Sequence, residues 1–338
     1  MADLGSRSRG QLILVAAFAL AVTFVALALV VNSAIFTENL ASRGETGGSG
    51  DALTLRHDVE RGVGQSIASA NVYNTTDQST LEQGVDRGIG NVNTAYSKQS
   101  AADTAIVNVS RKSGSIEYGS RIAQNTSGGR AFQDRNGNSD WHVVDDVDRS
   151  GSEGNATRAF ELNVTKSSLE PDESGAFRIV VEEWKGSATW TMTLWRDGPS
   201  DDVHVEVEVD SEPEARCMQE VDGAFVHVDV TEGRLAGEPC GALRQGPNTN
   251  GDFGNYRFAS GVGDRYNVTF EHGDEAHGNY SLVTRNQSMA SSNTLNASVG
   301  SDSPYWDDAI YDVTVRYVYN SPKLEYETDV RVAPGESR

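Results

Sequence analysis

The sequence predicts an α+β protein: an N-terminal transmembrane helix, a short helical hairpin, and a mostly antiparallel, β-sandwich-like exterior domain. Three observations predict it. Residues 12–31 are an apolar run broken only by Thr23. Between Leu55 and Tyr96 the apolar residues recur at steps of three and four. From about residue 104 onward the apolar period changes to two.

The apolar run comes first in the chain. At 1.5 Å per residue it spans about 30 Å, the thickness of a hydrocarbon core. A discarded secretory signal has an apolar region of only about 7–15 residues, followed by a small-x-small cleavage site. The best such site here, Asn32-Ser33-Ala34, has a poor first residue. Arg7 and Arg9 lie before the run, and Glu38 is the first charge after it. Basic flanks stay in the cytoplasm, so the expected location is a single pass through the cell membrane, amino terminus inside and bulk of the chain outside. The expected parts are a leader at 1–10, the apolar helix at 11–36, a Gly-rich linker at 37–50, a helical hairpin at 51–103 and the β-rich exterior domain at 104–338.

Within the hairpin, Leu55, Val59, Val63, Ile67 and Ala70 mark one helix face, and Leu81, Val85, Ile89, Val92 and Tyr96 mark another. Gly62 and Gly64 weaken the first helix. Ser79-Thr80-Leu81-Glu82 has the form of a capping box for the second. Beyond it, strict alternation marks strands that bury one face and wet the other. Phe160, Leu162 and Val164 form one such set; Trp190, Met192 and Leu194 form another. Tyr311, Val313, Val315, Tyr317 and Tyr319 read as a third.

Composition excludes some functions. The 338 residues carry 28 basic and 49 acidic side chains, a formal net charge of -21. Like charge repels nucleic acid, so no nucleic-acid partner is expected. Scarce lysine and dense carboxylates match a protein that stays soluble in high salt. No nucleophile elbow, phosphate-binding glycine loop or dinucleotide fingerprint occurs. An enzyme is therefore not expected, and no small-molecule substrate is evident.

Arg9-Gly10-Gln11-Leu12, an Arg-Gly-Gln set directly against the apolar run, resembles the amino terminus of archaeal type IV pilin precursors. The likeness extends over residues 7–36, and the chain as a whole is similar to pilin-like envelope proteins of haloarchaea. In that family a membrane peptidase cuts after the glycine, and the apolar helix is kept. The resemblance implies that Arg9, Gly10 and Gln11 are processing residues. It implies the membrane, a prepilin peptidase and other pilin-like subunits as partners. Many family members carry serine and glutamate at the third and fifth mature positions. Here those positions are Ile13 and Val15, which suits a minor or accessory subunit of a type IV pilus-like filament or secretion system. The alternative reading is a solitary signal-anchored cell-surface binding glycoprotein. An exported enzyme is the third reading.

Several residue groups are candidates for sites. Cys217 and Cys240 read as a disulfide outside the cell, with two buried free thiols as the alternative. Nine Asn-x-Ser/Thr sequons mark glycosylation candidates: Asn74, Asn108, Asn125, Asn155, Asn163, Asn267, Asn279, Asn286 and Asn296. Asp134, Asn136, Asn138, Asp140 and Asp145 stand at positions 1, 3, 5, 7 and 12 of a calcium-loop spacing. Ser139 replaces the sixth-position glycine and Asp145 the bidentate glutamate, so a solvated turn is the preferred reading. No cofactor is expected, calcium being the one weak candidate. Glu271, His272, Asp274, Glu275 and His277 read as a polar hairpin turn, because histidines five apart do not share a helix face.

The charge generates a testable expectation. Repulsion among the carboxylates weakens as salt shortens the Debye length from about 10 Å at 0.1 M to about 3 Å at 1 M. The melting temperature should therefore climb as salt rises from low to molar levels. A flat or falling melting temperature in differential scanning calorimetry would contradict halophilic adaptation.

Overall fold

The computed structural model describes residues 49–73, 77–102, 104–125, 129–148, 156–210, 212–244, 258–259, 261–285, 293–297 and 304–335. Two helices open it: α1 at residues 49–73 and α2 at Gln78–Ala102. The strands in chain order are β1 Ile106–Gln124, β2 Trp141–Asp148, β3 Thr157–Thr165, β4 Phe177–Glu183, β5 Thr189–Arg196, β6 Val203–Val209 and β7 Glu212–Gln219. β8 Phe225–Asp229, β9 Arg234–Leu235 and β10 Glu238–Pro239 follow, then the single-turn α3 Gly241–Arg244. β11 Arg265–Glu271, β12 Gly278–Thr284, β13 Asn296–Ala297, β14 Tyr305–Ser321 and β15 Leu324–Val332 complete the chain.

The strands form two sheets. Nine lie in one, in the order β10-β9-β8-β3-β12-β1-β14-β13, with β15 also on β14; six lie in the other, β2-β11-β4-β5-β6-β7. Every pairing is antiparallel except β13 on β14. The inward residues of both sheets meet in one core. Phe160, Leu162 and Val164 of β3 and Leu282 of β12 face Ile179, Met192, Val205 and Phe270 of the smaller sheet. An aromatic cluster closes one end of it, with Phe132, Phe177, Phe270 and Tyr280 at ring-centroid separations of 5.0–6.0 Å. Mostly edge-to-face contacts suit the ring quadrupoles.

A second core lies on the opposite side of the larger sheet. There the buried stripes of α1 (Val59, Val63, Ile67) and α2 (Leu81, Val85, Ile89) pack on Val107, Val109, Val315, Tyr317 and Val330. Side chains fasten the helices to strand backbone. The Asn71 amide donates to the Ile310 carbonyl (2.9 Å) and accepts from the Ile310 N–H (2.8 Å). Asn93 accepts from the Val109 N–H (2.8 Å), and the Tyr317 hydroxyl donates to the Ala52 carbonyl (3.0 Å).

The architecture corrects the expected fold class. The described residues are mostly antiparallel β, with the larger sheet curled into a half-barrel, rather than α+β. The two helices lie on the far face of the larger sheet, their apolar stripes buried against it and against each other. Among the described residues no helix is long and apolar enough to cross a membrane. The expected transmembrane helix at 11–36 lies outside the described residues.

Three local expectations change too. The start of α2 is capped by Asp77, which accepts from the Thr80 N–H (2.9 Å) and hydroxyl (3.0 Å). The expected capping-box glutamate, Glu82, accepts from the Tyr118 hydroxyl instead. The segment between Glu271 and Gly278 is no hairpin turn: β11 belongs to the smaller sheet and β12 to the larger, so it is a corner between sheets. His272 makes the corner in the left-handed region at φ 52°. Finally, Ile310 and Val313 face the helices although three residues apart, because the β1–β14 register shifts there. Such a bulge flips the side chains beyond it, and Tyr311 joins Val283 and Ala309 instead of the helix-facing set.

The glycines of the hairpin place the helices unusually close. A Cβ built on Gly88 would lie 2.4 Å from the Ser66 Cβ, and one on Gly62 would lie 3.1 Å from Val92 Cγ2. Gly90, one face away, has nothing within 4 Å. Helix propensity alone makes Gly→Ala stabilising by about 1 kcal/mol. Gly90→Ala should show that gain. Gly88→Ala should instead destabilise by about 1–3 kcal/mol, because overpacking forces the helices apart. Chemical denaturation of the two variants checks this; equal stabilisation would mean the helices do not touch at Gly88.

Candidate functional site

The helices cover only part of the larger sheet's outer face. Beyond the end of α1, outward side chains of β8, β3, β12 and β1 form a polar strip in which charges meet. At one end lies a carboxylate cluster. Asp229 on β8 is 7% exposed and sits opposite Glu161 of β3 in register. It accepts from the Glu232 N–H (2.7 Å) and the Thr231 hydroxyl (3.2 Å). Burial pushes its carboxyl up to about 6, and the charges of Glu232 and Glu161 add to the rise, while the hydrogen bonds oppose it. His227, two residues earlier, pairs with Glu161 at 3.6 Å. That hydrogen bond holds its imidazolium above the usual histidine range.

At the other end is a cavity of ≈310 Å³ between the carboxyl end of α1 and the sheet. Two arginines line it, Arg121 of β1 and Arg158 of β3. Both are buried, at 7% and 1% exposure. Arg158 is tied into the fold. Its guanidinium lies over the Tyr311 ring at 3.8 Å, donates to the Tyr311 carbonyl (3.1 Å) and stands 3.8 Å from the Asp312 carboxylate. Arg121 donates to two neutral oxygens, the Ser281 hydroxyl (3.0 Å) and the Tyr305 hydroxyl (3.3 Å). Val72, Val283 and Pro334 form the apolar wall.

The structure disperses most of the residues singled out from the sequence. The disulfide is present: Cys217 of β7 and Cys240 are joined, with Cα atoms 5.6 Å apart. It ties the edge strand of the smaller sheet to the turn after β10 at the edge of the larger one. Closing a loop of about 24 residues contributes about 3 kcal/mol in the chain-entropy account. The calcium spacing does not build a calcium cage. Asp134 accepts from backbone and side-chain N–H groups of Asn136 and Asn138, at 2.7–3.3 Å. Donors pointing at a carboxylate repel a cation. Asp140 accepts from the His272 N–H (2.8 Å), and Asp145 lies on β2 beside His142 (2.9 Å). Among the described residues no group of three or more His, Cys, Asp or Glu side chains is placed to hold a metal.

The corner histidines also diverge. His272 Nδ1 lies 3.1 Å from the Ala176 carbonyl, and His277 Nε2 lies 3.1 Å from the Asp274 carbonyl. Glu271 stands 3.9 Å from Arg178, and Glu275 shares a hydrogen bond with Glu170 that raises its carboxyl above the usual range. Of the sequons, Asn108, Asn125 and Asn163 are exposed. Asn267, Asn279 and Asn296 are half-buried; Asn267 accepts from the Asp146 N–H (2.8 Å) and Asn296 donates to the Pro304 carbonyl (3.0 Å). Asn74, Asn155 and Asn286 lie outside the described residues, as do Arg9, Gly10 and Gln11. Arg121, Arg158 and Asp229 were not singled out from the sequence. Each is a lone charge in a strand-like run, which reads as a wet face.

A family model for DUF7261, a family of unknown function, matches residues 6–170. That stretch takes in the apolar run, α1, α2 and β1 to β3, a little under half of the chain. No curated protein and no solved structure matches the chain.

The buried carboxyl makes stability depend on pH with a defined sign. Between about pH 4 and about pH 6 the folded chain holds a proton on Asp229 that the unfolded chain has released, so stability falls as pH rises through that window. Asp229→Asn keeps an acceptor and removes the titration. Relative to the variant, the wild type should lose about 2–3 kcal/mol between pH 4 and 7. Urea midpoints at four pH values measure this; parallel profiles would contradict it.

Proposed function

We propose that the chain is a membrane-anchored, pilin-like structural protein of the cell envelope, a minor or accessory subunit of a type IV pilus-like filament or secretion system. The observation that carries this is Arg9-Gly10-Gln11 set directly against the apolar run at 12–31. In the proposal the run holds the precursor in the membrane, with Arg7 and Arg9 on the cytoplasmic side and the β-rich body outside. A prepilin peptidase then removes residues 1–10. Losing the two arginines lowers the barrier to drawing the apolar segment out of lipid, since those charges no longer have to cross the hydrocarbon. Alanines at 16, 17, 19, 21, 26 and 28 permit close approach of neighbouring apolar segments. The disulfide that fastens one sheet to the other supports a body built for an oxidising exterior.

The exposed sequons at Asn108, Asn125 and Asn163 favour a second reading, a solitary signal-anchored surface glycoprotein. The mature amino terminus separates the two. The proposal expects Gln11, found by mass spectrometry of the amino-terminal peptide, and an uncut, membrane-bound precursor when Gly10 is replaced by leucine. A terminus at Met1 or Ala2 would leave the solitary anchor. One near Ile35 would mean a discarded signal and end the structural proposal.

A further inference from the structure

We propose that the cavity between α1 and the larger sheet binds a small monocarboxylate with an apolar body, held by Arg121. The guanidinium of Arg121 is nine-tenths buried and borders the cavity. It makes two hydrogen bonds, both to neutral hydroxyls, and no ion pair among the described residues. The buried Asp307 stands opposite Arg121 in register and Glu161 lines the same cavity, yet neither carboxylate is in ion-pair contact with the guanidinium. A ligand carboxylate can make that direct pair, and it is the group that fits the fork of a guanidinium best.

The neighbouring cation shows the contrast. Arg158 has Asp312, the Tyr311 carbonyl and the Tyr311 ring, so its role is accounted for by the fold. Ser281 and Tyr305 fix the Arg121 side chain in place, which leaves its remaining N–H groups pre-oriented for a ligand. The ligand's other end meets Val72, Val283, Ile310 and Pro334, an apolar wall. Glu161 at the rim disfavours a second negative charge on the ligand. A volume of ≈310 Å³ suits a small molecule. The inference does not rest on the assembly role proposed above.

Equilibrium dialysis of labelled hexanoate against the full chain at fixed ionic strength tests it, with hexanamide as the uncharged counterpart. Hexanoate should bind saturably at one site, about tenfold or more tighter than hexanamide. Arg121→Gln should bring hexanoate down to the hexanamide level and leave hexanamide unchanged. Val72→Trp, at a half-exposed position, should block both. If Arg121→Gln fails to fold, the hexanoate-to-hexanamide ratio together with Val72→Trp decides. Equal binding of the two probes, unchanged hexanoate binding in Arg121→Gln, or no saturable hexanoate binding overturns the proposal. So does binding of a tetrapeptide ending in a leucine carboxylate without binding of hexanoate, because the cavity would then serve a chain end.

Discussion

The long ladder between β1 and β14 is the constraint on which both cores depend. It runs from Ile106 opposite Asn320 to Ala123 opposite Tyr305. At one end its apolar side chains point to the helices; at the other, Ile122 points to the smaller sheet. Because successive side chains of a strand point to opposite faces, one sheet can serve both cores. The register shifts between Arg111 and Ile116 and between Glu117 and Tyr118 then change which side chains of β14 face the helices. Asn71 bonds both backbone groups of Ile310 at the same place, so the helix docks where the strand is irregular. Helix position, strand register and the division of the sheet between two cores are therefore one feature.

This feature also creates the open strip. The hairpin ends near the bulge, so the outward faces of β12, β3 and β8 are left beside it. Arg121 and Arg158 lie at the boundary, where helix and sheet shield them from water. Asp229 lies farther along, where the short β8–β9–β10 turns fold over it. Charges in an otherwise wet strip are thus buried by their neighbours in space. Burial accounts for the raised carboxyl of Asp229, and it sets Arg121 apart from Arg178 and Arg316, which pair with Glu271 and Glu327.

Helix stripes and single strands were legible because their signals are local. Val59, Val63 and Ile67 recur at helical spacing and are buried; Phe160, Leu162 and Val164 alternate and are buried. Cys217 and Cys240 were legible as a pair because there are only two cysteines. The cap at Ser79 was misplaced by two residues: Asp77 and Ser79, on either side of Gln78, are both good caps, and geometry selected Asp77. The segment at 271–278 was misread for a different reason. A hairpin and a corner carry the same polar, turn-forming residues, and which sheet each flanking strand joins is not encoded between them.

The sequence by itself determined where the two helices of the hairpin and about half of the strands lie, which face of most of them is apolar, that the chain is strongly acidic, and that an apolar run follows an Arg-Gly-Gln signature. Those properties are set by neighbours within a few residues. β1, β2, β7 and β12 carry no clear alternation and were not legible in that way. The tertiary structure alone decided that one sheet serves two cores, that Tyr311 leaves its expected face, that the calcium spacing closes into a hydrogen-bonded turn, and that Arg121, Arg158 and Asp229 are buried. Burial of a charge depends on what the chain brings over it from far along the sequence. Asn71 meets Ile310 across more than two hundred residues, and no local pattern carries such a contact.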